Sequence, residues 1–144
     1  MSSAGSRLGY LLKHAQMRMA QLNSEALAQL EINGRELAVL LTLADHEPAS
    51  QQQAAERMGV DRTTMVGLLD GLEAKGLVTR RPQAGDRRRN VVELTGKGQD
   101  TLERGVRASD EAERVLLSPL APEERPFLRR MLQAIGTPRR PADD

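Results

Sequence analysis

Cysteine is absent from the 144-residue chain, which excludes disulfides, thiolate nucleophiles and thiol-based redox sensing. Aromatic residues are nearly absent too: Tyr10 and Phe127 are the two present, and there is no tryptophan. Because single-stranded nucleic acid and RNA loops are usually bound by stacking bases on aromatic side chains, we expect no RNA partner. Double-stranded DNA, which is bound through phosphates and groove edges, is not excluded by this composition.

Long apolar runs and catalytic motifs are missing as well. The sequence has no stretch of about 18 apolar residues and no charged-then-apolar leader, so it predicts a cytoplasmic protein without a membrane span. His14 and His46 are the two histidines, and with neither cysteine nor a histidine–acid cluster we predict no metal site. There is no catalytic-triad motif and no glycine-rich phosphate loop, so we expect neither an enzyme nor a bound cofactor.

Residues 61–95 contain the most informative pattern. Asp61 is a good helix N-cap, and Gly76 is suited to end the helix in the left-handed conformation. Three apolar residues recur at helical spacing and are predicted to be buried: Met65, Leu68 and Leu72. The opposite face combines a cation, a hydroxyl and small groups, as is typical of a helix that lies in a DNA major groove: Arg62, Thr63, Val66, Gly67 and Asp70.

After this helix the sequence predicts a β-hairpin with a charged tip. Residues 77–81 and 90–94 are short apolar–polar segments around PQAGDRRR, whose proline and glycine favour a turn. Residues 79–89 contain five arginines and one aspartate, a net charge of +4, whereas the whole chain carries +1. Taken alone, this segment fits a solvated loop as well as it fits a phosphate-binding one. Beside a predicted groove helix, phosphate binding is the favoured interpretation.

Amphipathic helices are predicted on the N-terminal side of this segment. Apolar residues at three- and four-residue steps predict a long helix over residues 7–30. A nearly apolar helix over residues 35–44 is expected to run through the core. The following residues 45–50 predict a turn. Ser50 and Gln53 then form a capping box that begins a third helix, which is expected to end near residue 59 and to form a helix-turn-helix with the groove helix.

Two further helices are predicted on the C-terminal side. Thr95 is suited to cap a long helix to about Leu117, and Pro122 to begin a last helix. The apolar stripes at both ends of the chain would be covered most economically by a two-fold partner, with packing inside one chain as the alternative. We expect residues 1–144 to form one domain. Within it, residues 35–95 are predicted to form the DNA-binding lobe, and residues 7–30 and 96–136 the dimerisation helices.

The string DRRRNVVELTGKG at residues 86–98 resembles the MarR (multiple antibiotic resistance regulator) family of bacterial transcription factors. The resemblance is most specific over residues 61–98 and extends more loosely over about residues 7–136. It implies a mainly α fold with a small β-hairpin wing (α+β). This fold is a winged helix-turn-helix with N- and C-terminal dimerisation helices, and it implies a homodimer that binds double-stranded DNA.

Candidate DNA contacts come from the groove helix and the wing. Arg62 and Thr63 lie in the first turn of that helix and are the best candidates to contact base edges. The resemblance implies that Asp86 orients Arg88 toward the minor groove, although a nonspecific phosphate contact is a close alternative. The predicted DNA-binding residues are Ser50, Gln52, Arg62, Thr63, Thr64, Val66, Gly67, Arg80, Arg87, Arg88 and Arg89.

Gly67 and Gly71 depart from the family pattern, which often has polar or basic residues at these positions. Each glycine costs roughly 1 kcal/mol of helix stability relative to alanine. Two interpretations remain open from the sequence: the helix backbone approaches DNA closely at these points, or contacts that relatives make there are missing.

These observations predict a sequence-specific, double-stranded DNA-binding transcriptional regulator that acts as a homodimeric repressor on a pseudo-palindromic operator. The resemblance also implies a small-molecule effector, phenolic or otherwise apolar and anionic. Its pocket is expected between the long N-terminal helix, the helix after Thr95 and the DNA-binding lobe, with Tyr10, His14 and Met17 as lining candidates. The alternative is a winged-helix protein–protein interaction module without specific DNA readout, which the arginine-rich hairpin disfavours.

Overall fold

The computed structural model describes residues 3–45, 49–83 and 85–138. Over these residues the chain is mainly helical with a small antiparallel sheet, which confirms the predicted winged helix-turn-helix class. The main elements in chain order are α1 (Leu8–Leu27), α2 (Gly34–Asp45), β1 (Ala49–Ser50), α3 (Gln51–Met58), α4 (Arg62–Ala74), β2 (Val78–Gln83), β3 (Asp86–Leu94), α5 (Gly96–Leu117) and α6 (Arg125–Gly136).

Helix α2 lies at the centre of the core. Its side chains Val39, Leu40 and Leu43 are completely buried, and the helix contacts α1, α3, α4, α5 and β3. This confirms the prediction that residues 35–44 run through the core. Each such apolar side chain stabilises the fold by about 1.5–3 kcal/mol relative to an exposed position. The other large side chains that are fully buried are Leu27, Met65, Leu69, Leu72, Val78 and Val92.

Reciprocal caps fix the starts of α2 and α3. The Ser50 hydroxyl accepts the Gln53 N–H at 3.1 Å, and the Gln53 side chain accepts the Ser50 N–H at 3.0 Å, as predicted. Helix α2 has a similar pair that the sequence prediction missed. Asn33 Oδ1 accepts the Glu36 N–H at 2.9 Å, and Glu36 Oε1 accepts the Asn33 N–H at 3.1 Å. Each pair satisfies two amides that would otherwise lack a partner.

The hairpin is longer than predicted. Strand β2 continues to Gln83 and β3 begins at Asp86, so the turn is shorter than the predicted PQAGDRRR and Pro82 lies inside a strand. The prediction that the turn includes Arg87–Arg89 was therefore wrong, because the backbone of these residues belongs to β3. Proline is tolerated in β2 because this strand lies at the edge of the sheet, in the order β1–β3–β2, and pairs on one side only.

Strand β1 was not predicted. The turn predicted over residues 45–50 includes this strand, in which Ala49 pairs with Val92 and Ser50 with Val91 of β3. A strand of two residues is too short to show an alternating pattern, which is why it escaped the sequence analysis. Residues 46–48, and with them His46, lie outside the described residues. So do residues 139–144.

The buried face of α4 also differs from the prediction by one position. Met65, Leu69 and Leu72 are buried, whereas Leu68 is half-buried against the same core. Residues 65, 69 and 72 follow the four- and three-residue steps of one helical stripe, which places them directly over the core. Leu68 was predicted to be buried with Met65 and Leu72 and is buried only in part.

The boundaries of the terminal helices differ slightly from those predicted. Helix α1 ends at Leu27 and continues as a 3₁₀ turn over Ala28–Leu30, after which Glu31 has a left-handed conformation with φ 57°. Pro122 begins a 3₁₀ turn, Pro122–Glu124, rather than α6 itself. Thr95 caps α5 as predicted, by accepting the Gly98 N–H at 2.9 Å.

The terminal helices expose much of their apolar surface. Helix α5 packs along α1 and α2, and Ser109 donates a hydrogen bond to Asn23 of α1 at 3.0 Å. In contrast, Phe127 and Ile135 of α6 are 54% and 65% exposed, and Leu8 of α1 is 63% exposed. Within the described ranges, no helix combines the length and apolarity that crossing a membrane requires.

Two glycines bring α5 close to the rest of the fold. A Cβ placed on Gly98 would lie 1.9 Å from the Leu77 carbonyl oxygen, and one on Gly105 would lie 2.8 Å from Leu37 Cδ1. The first distance is far below any van der Waals contact. Thr95 strengthens the same junction, because its hydroxyl donates to the Gly76 carbonyl at 2.6 Å. Helix α5 is therefore joined tightly to the base of the hairpin.

We expect Gly98→Ala to destabilise the protein by about 1–3 kcal/mol or more, because its methyl group would overlap the Leu77 carbonyl. Gly71→Ala is the matched control. Beyond the backbone of α4 itself, no atom of the described residues lies within 4 Å of a Cβ at Gly71, so this change should stabilise α4 by roughly 0.5–1 kcal/mol. Urea unfolding followed by circular dichroism measures both changes. Equal shifts of the two midpoints would contradict the close contact at Gly98.

Candidate nucleic-acid interface

Helices α3 and α4 form a helix-turn-helix. Helix α3 ends at Met58, the C-cap Gly59 turns the chain through its left-handed conformation (φ 66°), and Asp61 then caps α4. Three residues therefore separate the two helices, and the helices pack against each other. A connection this short is what allows the second helix of such a motif to project from the surface.

The N-terminal half of α4 presents the predicted base-contacting residues to solvent. Arg62 and Thr63 in the first turn are exposed, as is Gly67 one turn later, whereas Val66 is half-buried. Beyond the backbone of α4 itself, no atom of the described residues lies within 4 Å of a Cβ at Gly67, so packing among these residues does not require glycine there. The exposed face thus carries the cation of Arg62 and the hydroxyl of Thr63, and at Gly67 it has no side chain.

Asp61 and Thr64 are occupied by the cap of α4. The Asp61 carboxylate accepts the Thr64 backbone N–H at 2.7 Å and the Thr64 hydroxyl at 3.0 Å. The backbone N–H of Thr64 is the main cause that lowers the pKa of the Asp61 carboxyl below its ordinary value of 3.8. Because its hydroxyl already donates to Asp61, Thr64 has less freedom to bind a second partner than Thr63 has.

The two predicted contacts at the start of α3, the N-cap Ser50 and the helical residue Gln52, differ in how available they are to an outside partner. The Ser50 hydroxyl accepts the Gln53 N–H in the capping box, and Ser50 is half-buried. Gln52 is exposed, and its side chain donates to Glu56 at 3.4 Å, a long hydrogen bond at the surface. Gln52 is therefore the more available of the two for a contact outside the protein.

The wing brings the arginine-rich segment next to α4. The backbone of Asp86, Arg87, Arg88 and Arg89 forms the first part of β3, but their side chains lie outside what the structure describes. The orientation of Arg88 by Asp86 therefore stays a prediction. On β2, Arg81 forms an ion pair with Glu93 of the neighbouring strand while its side chain remains 64% exposed.

Arg80 is engaged within the protein, whereas the sequence analysis assigned it to DNA. Its Nη2 donates to Asp70 at 2.5 Å and to Glu73 at 3.2 Å, its Nε donates to Glu73 at 3.4 Å, and its Nη1 donates to Gln51 at 3.2 Å. The side chain is 17% exposed. The hydrogen bonds from Arg80 are the main cause that lowers the pKa of the Glu73 carboxyl, and Glu73 in turn raises the pKa of Arg80.

These partners of Arg80 were missed by the sequence analysis. Gln51 is 29 positions away in sequence, Asp70 is 10 and Glu73 is 7. A tally of charges showed an excess of arginine over residues 79–89, but it could not show which arginines meet acids on another element. Arg80 and Arg81 each form an ion pair with an acid of the protein. Arg62 and residues 87–89 therefore remain as the predicted cationic contacts.

A separate cavity of about 550 Å³ lies between α1, α5 and α6. No residue of the lobe borders it, whereas the predicted effector pocket was to adjoin the lobe. Tyr10, His14 and Met17 do not border it either. The rings of Tyr10 and His14 lie 4.0 Å apart on the exposed part of α1. Their role in ligand binding stays a prediction. The cavity is lined by Leu12, Ala15, Gln16, Met19, Glu113, Leu116, Leu117, Arg125, Leu128, Arg129, Leu132 and Gln133.

Comparison with known proteins gives the family. The profile of the MarR family matches residues 30–89, which contain the helix-turn-helix and most of the wing. The chain is 32% identical to the HTH-type transcriptional repressor NicR of Pseudomonas putida, over 67% of this chain and 61% of NicR. The solved structure of the transcriptional repressor CouR bound to a 23-mer DNA duplex has a TM-score of 0.87 at 31% identity, covering 95% of this chain and 99% of CouR. This chain belongs to the MarR family.

A second MarR-family relative shows the same extent of similarity. The HTH-type transcriptional regulator PecS of Dickeya dadantii is 32% identical over 73% of this chain and 65% of PecS. The matched segment thus spans less than two thirds of the length of both curated relatives. These relatives are transcriptional regulators and not enzymes.

We expect Asp61→Ala to lower the urea midpoint of this MarR-family protein near neutral pH, because α4 loses the acceptor for its first-turn amide. The lowered pKa of Asp61 sets the pH dependence. The carboxylate stabilises the fold above its unfolded pKa, and this contribution is lost as the pH falls through the lowered folded pKa. The gap between wild type and variant should therefore shrink in acid. Asp61→Asn, which keeps a capping acceptor without a titrating charge, is the control. A gap that stays constant into acid would count against this cap.

Proposed function

We propose that this protein is a sequence-specific, double-stranded DNA-binding transcriptional regulator that acts as a homodimeric repressor on a pseudo-palindromic operator. The observation that carries the proposal is the exposed first turn of α4, where Arg62 and Thr63 face solvent in a chain whose wing includes an arginine-rich segment. A helix enters the major groove with such residues nearest the base edges. The likeness to CouR, which was solved on a DNA duplex, supports this mode of binding.

The contacts divide into base readout and phosphate binding. Arg62 donates to a guanine edge, Thr63 contacts an adjacent base, and Val66 packs on a thymine methyl group. Phosphate contacts come from Gln52 at the start of α3 and from Arg87–Arg89 of the wing, and they fix the register of the protein on the duplex. Gly67 allows the backbone of α4 to approach the DNA closely, and among the described residues no packing contact accounts for a glycine at this position.

The homodimer is formed by residues 7–30 and 96–136, which flank the DNA-binding lobe over residues 35–95. Support comes from the exposed apolar side chains of the terminal helices, including Leu8, Phe127 and Ile135. A two-fold axis lets the same stripes on two copies bury each other and places two α4 helices on one duplex.

A small apolar or phenolic anion acts as the effector of this repressor, and the protein works in the cytoplasm. The cavity between α1, α5 and α6 supports a ligand site among the terminal helices. Seven of its lining residues are apolar and Arg125 supplies a cation. The Nε atom of Arg125 is buried and has no hydrogen-bond partner among the described residues. The carboxylate of an anionic effector would provide this partner.

The rival function is a winged-helix module that binds another protein. The same fold can serve as a scaffold, so the fold alone does not decide. The distribution of charge favours DNA, because an interaction module has little need for three more arginines at residues 87–89 beside the paired Arg80 and Arg81. Selection of bound duplexes from a library of bacterial genomic fragments tests the proposal. We expect the selected fragments to share a pseudo-palindromic sequence. Uniform binding to all fragments would overturn the proposed sequence-specific function.

We expect Arg62→Ala to cost about 1–3 kcal/mol of affinity on the selected duplex and to relax the preference at one base pair in each half-site. Arg104→Ala removes an arginine from α5, outside the lobe, and serves as the charge-matched control. Fluorescence anisotropy on duplexes mutated at each position measures both effects. An equal loss on every sequence would assign Arg62 to phosphate binding instead.

We expect sedimentation equilibrium to give twice the chain mass, and the double variant Phe127→Glu with Ile135→Glu to be a folded monomer. Charges on these exposed positions do not disturb the core of one copy, but they would be buried between two copies. Leu41→Glu is the control, because Leu41 is an exposed leucine of the DNA-binding lobe. A double variant that remains dimeric would exclude α6 from the interface.

A further inference from the structure

We propose that Arg80 is a positioning residue for DNA binding and does not itself contact DNA, an inference that rests on the proposed function. Its guanidinium joins the wing to both helices of the helix-turn-helix. It also cancels negative charge beside the DNA-contacting surface of α4, where Asp70 and Glu73 would otherwise face the phosphates.

The hydrogen bonds of Arg80 leave it little capacity for another partner. All three guanidinium nitrogens donate within the protein, to Asp70, Glu73 and Gln51, at 2.5–3.4 Å. The backbone N–H of Arg80 also donates to Glu73, at 3.2 Å. Four of its five guanidinium N–H donors are used in these bonds and its side chain is 17% exposed, so little of Arg80 is available to a phosphate. The sequence-based assignment of Arg80 to DNA is therefore replaced by this role.

The partners of Arg80 lie on the elements whose relative position matters for DNA binding. Gln51 is the first residue of α3, Asp70 and Glu73 lie in the second half of α4, and Arg80 belongs to β2 of the wing. One planar group with five N–H donors can satisfy acceptors in several directions at once, which a lysine ammonium on a flexible stem does less well. Arg80 therefore sets the distance and angle between the wing and the groove helix.

The charge of Asp70 gives Arg80 a second effect. Thr63, Gly67 and Asp70 follow four- and three-residue steps along α4, so Asp70 shares the face of the base-contacting residues. Its side chain is 58% exposed, and that of Glu73 is 43% exposed. Unpaired carboxylates at this surface would repel the DNA phosphates. The lowered pKa of Glu73 and the raised pKa of Arg80 agree with an ion pair that persists at neutral pH.

Arg81 provides a matched comparison next to Arg80. It lies on the same strand and pairs with one acid, Glu93 of β3, but its side chain is 64% exposed. Arg81 therefore joins two strands of the sheet and no helix. A change of Arg81 should alter local charge without altering the position of the wing relative to α4.

The decisive variant is Arg80→Lys, which keeps the positive charge but loses the planar fork. Affinity for the duplex that the wild-type protein selects best is measured at several salt concentrations by fluorescence anisotropy. We expect Arg80→Lys to weaken binding about tenfold, the effect of losing one or two charge-assisted hydrogen bonds, with the salt slope unchanged. Arg81→Lys should bind like the wild type. Wild-type affinity for Arg80→Lys would overturn the proposal.

Replacing Arg80 by a neutral residue distinguishes a positioning role for Arg80 from a direct contact between Arg80 and a phosphate. We expect Arg80→Ala to bind weakly and the triple variant Arg80→Ala, Asp70→Asn, Glu73→Gln to regain part of the lost affinity, because the exposed carboxylates are gone. A triple variant no tighter than Arg80→Ala, with a salt slope lower by about 0.9 in both, would show that Arg80 neutralises a phosphate. Circular dichroism confirms folding, and if Arg80→Ala does not fold, Arg80→Lys decides the question.

The bridge can also be tested without DNA. A double-mutant cycle of Arg80→Ala and Glu73→Gln on the urea unfolding of the free protein should give a clear coupling between the two residues. Additive changes would overturn the bridge. If the wild-type protein selects no specific duplex while this coupling is present, the proposed function fails and the bridge stands as a feature of the fold.

Discussion

Burial of helix α2 is the constraint on which the rest of the structure depends. Val39, Leu40 and Leu43 have no exposed surface, and the helix touches the helix-turn-helix, the wing strand β3 and the terminal helices α1 and α5. The DNA-binding lobe and the terminal helices therefore share one core. A cavity in α2 would loosen both at once, because a core of this density relaxes only partly around a lost side chain.

Much of the fold could be predicted from the sequence because its signals are local. The caps at Ser50, Asp61 and Thr95 and the stop at Gly59 depend on residues a few positions apart, and all of them are present. The helical stripes were predicted for the same reason. Strand β1 escaped prediction because it exists only through pairing with residues 91 and 92, some 40 positions later.

The candidate site was predictable only where exposure follows from helix periodicity. Arg62, Thr63 and Gly67 lie on the outer face of α4, as their spacing predicts. The hydrogen bonds of Arg80 to Asp70 and Glu73 could not be predicted because they depend on how β2 returns beside α4, which no local pattern in the sequence encodes. The cavity is a similar case, since its walls come from α1, α5 and α6, whose apolar stripes alone do not indicate where a gap remains.

The contact of Gly98 with the Leu77 carbonyl has a mechanical consequence. Helix α5 contains 22 residues, so it is about 33 Å long at 1.5 Å per residue. Because one end is pressed against the base of the wing without room for a methyl group, the helix works as a lever whose short arm is the junction. A rotation of about 5° about this junction displaces the far end of α5 by about 3 Å over this length, whereas the wing at the junction moves much less. That distance is about the length of a hydrogen bond, so an angular change that leaves the packing at Gly98 intact is large enough to alter the contacts at the opposite end of α5.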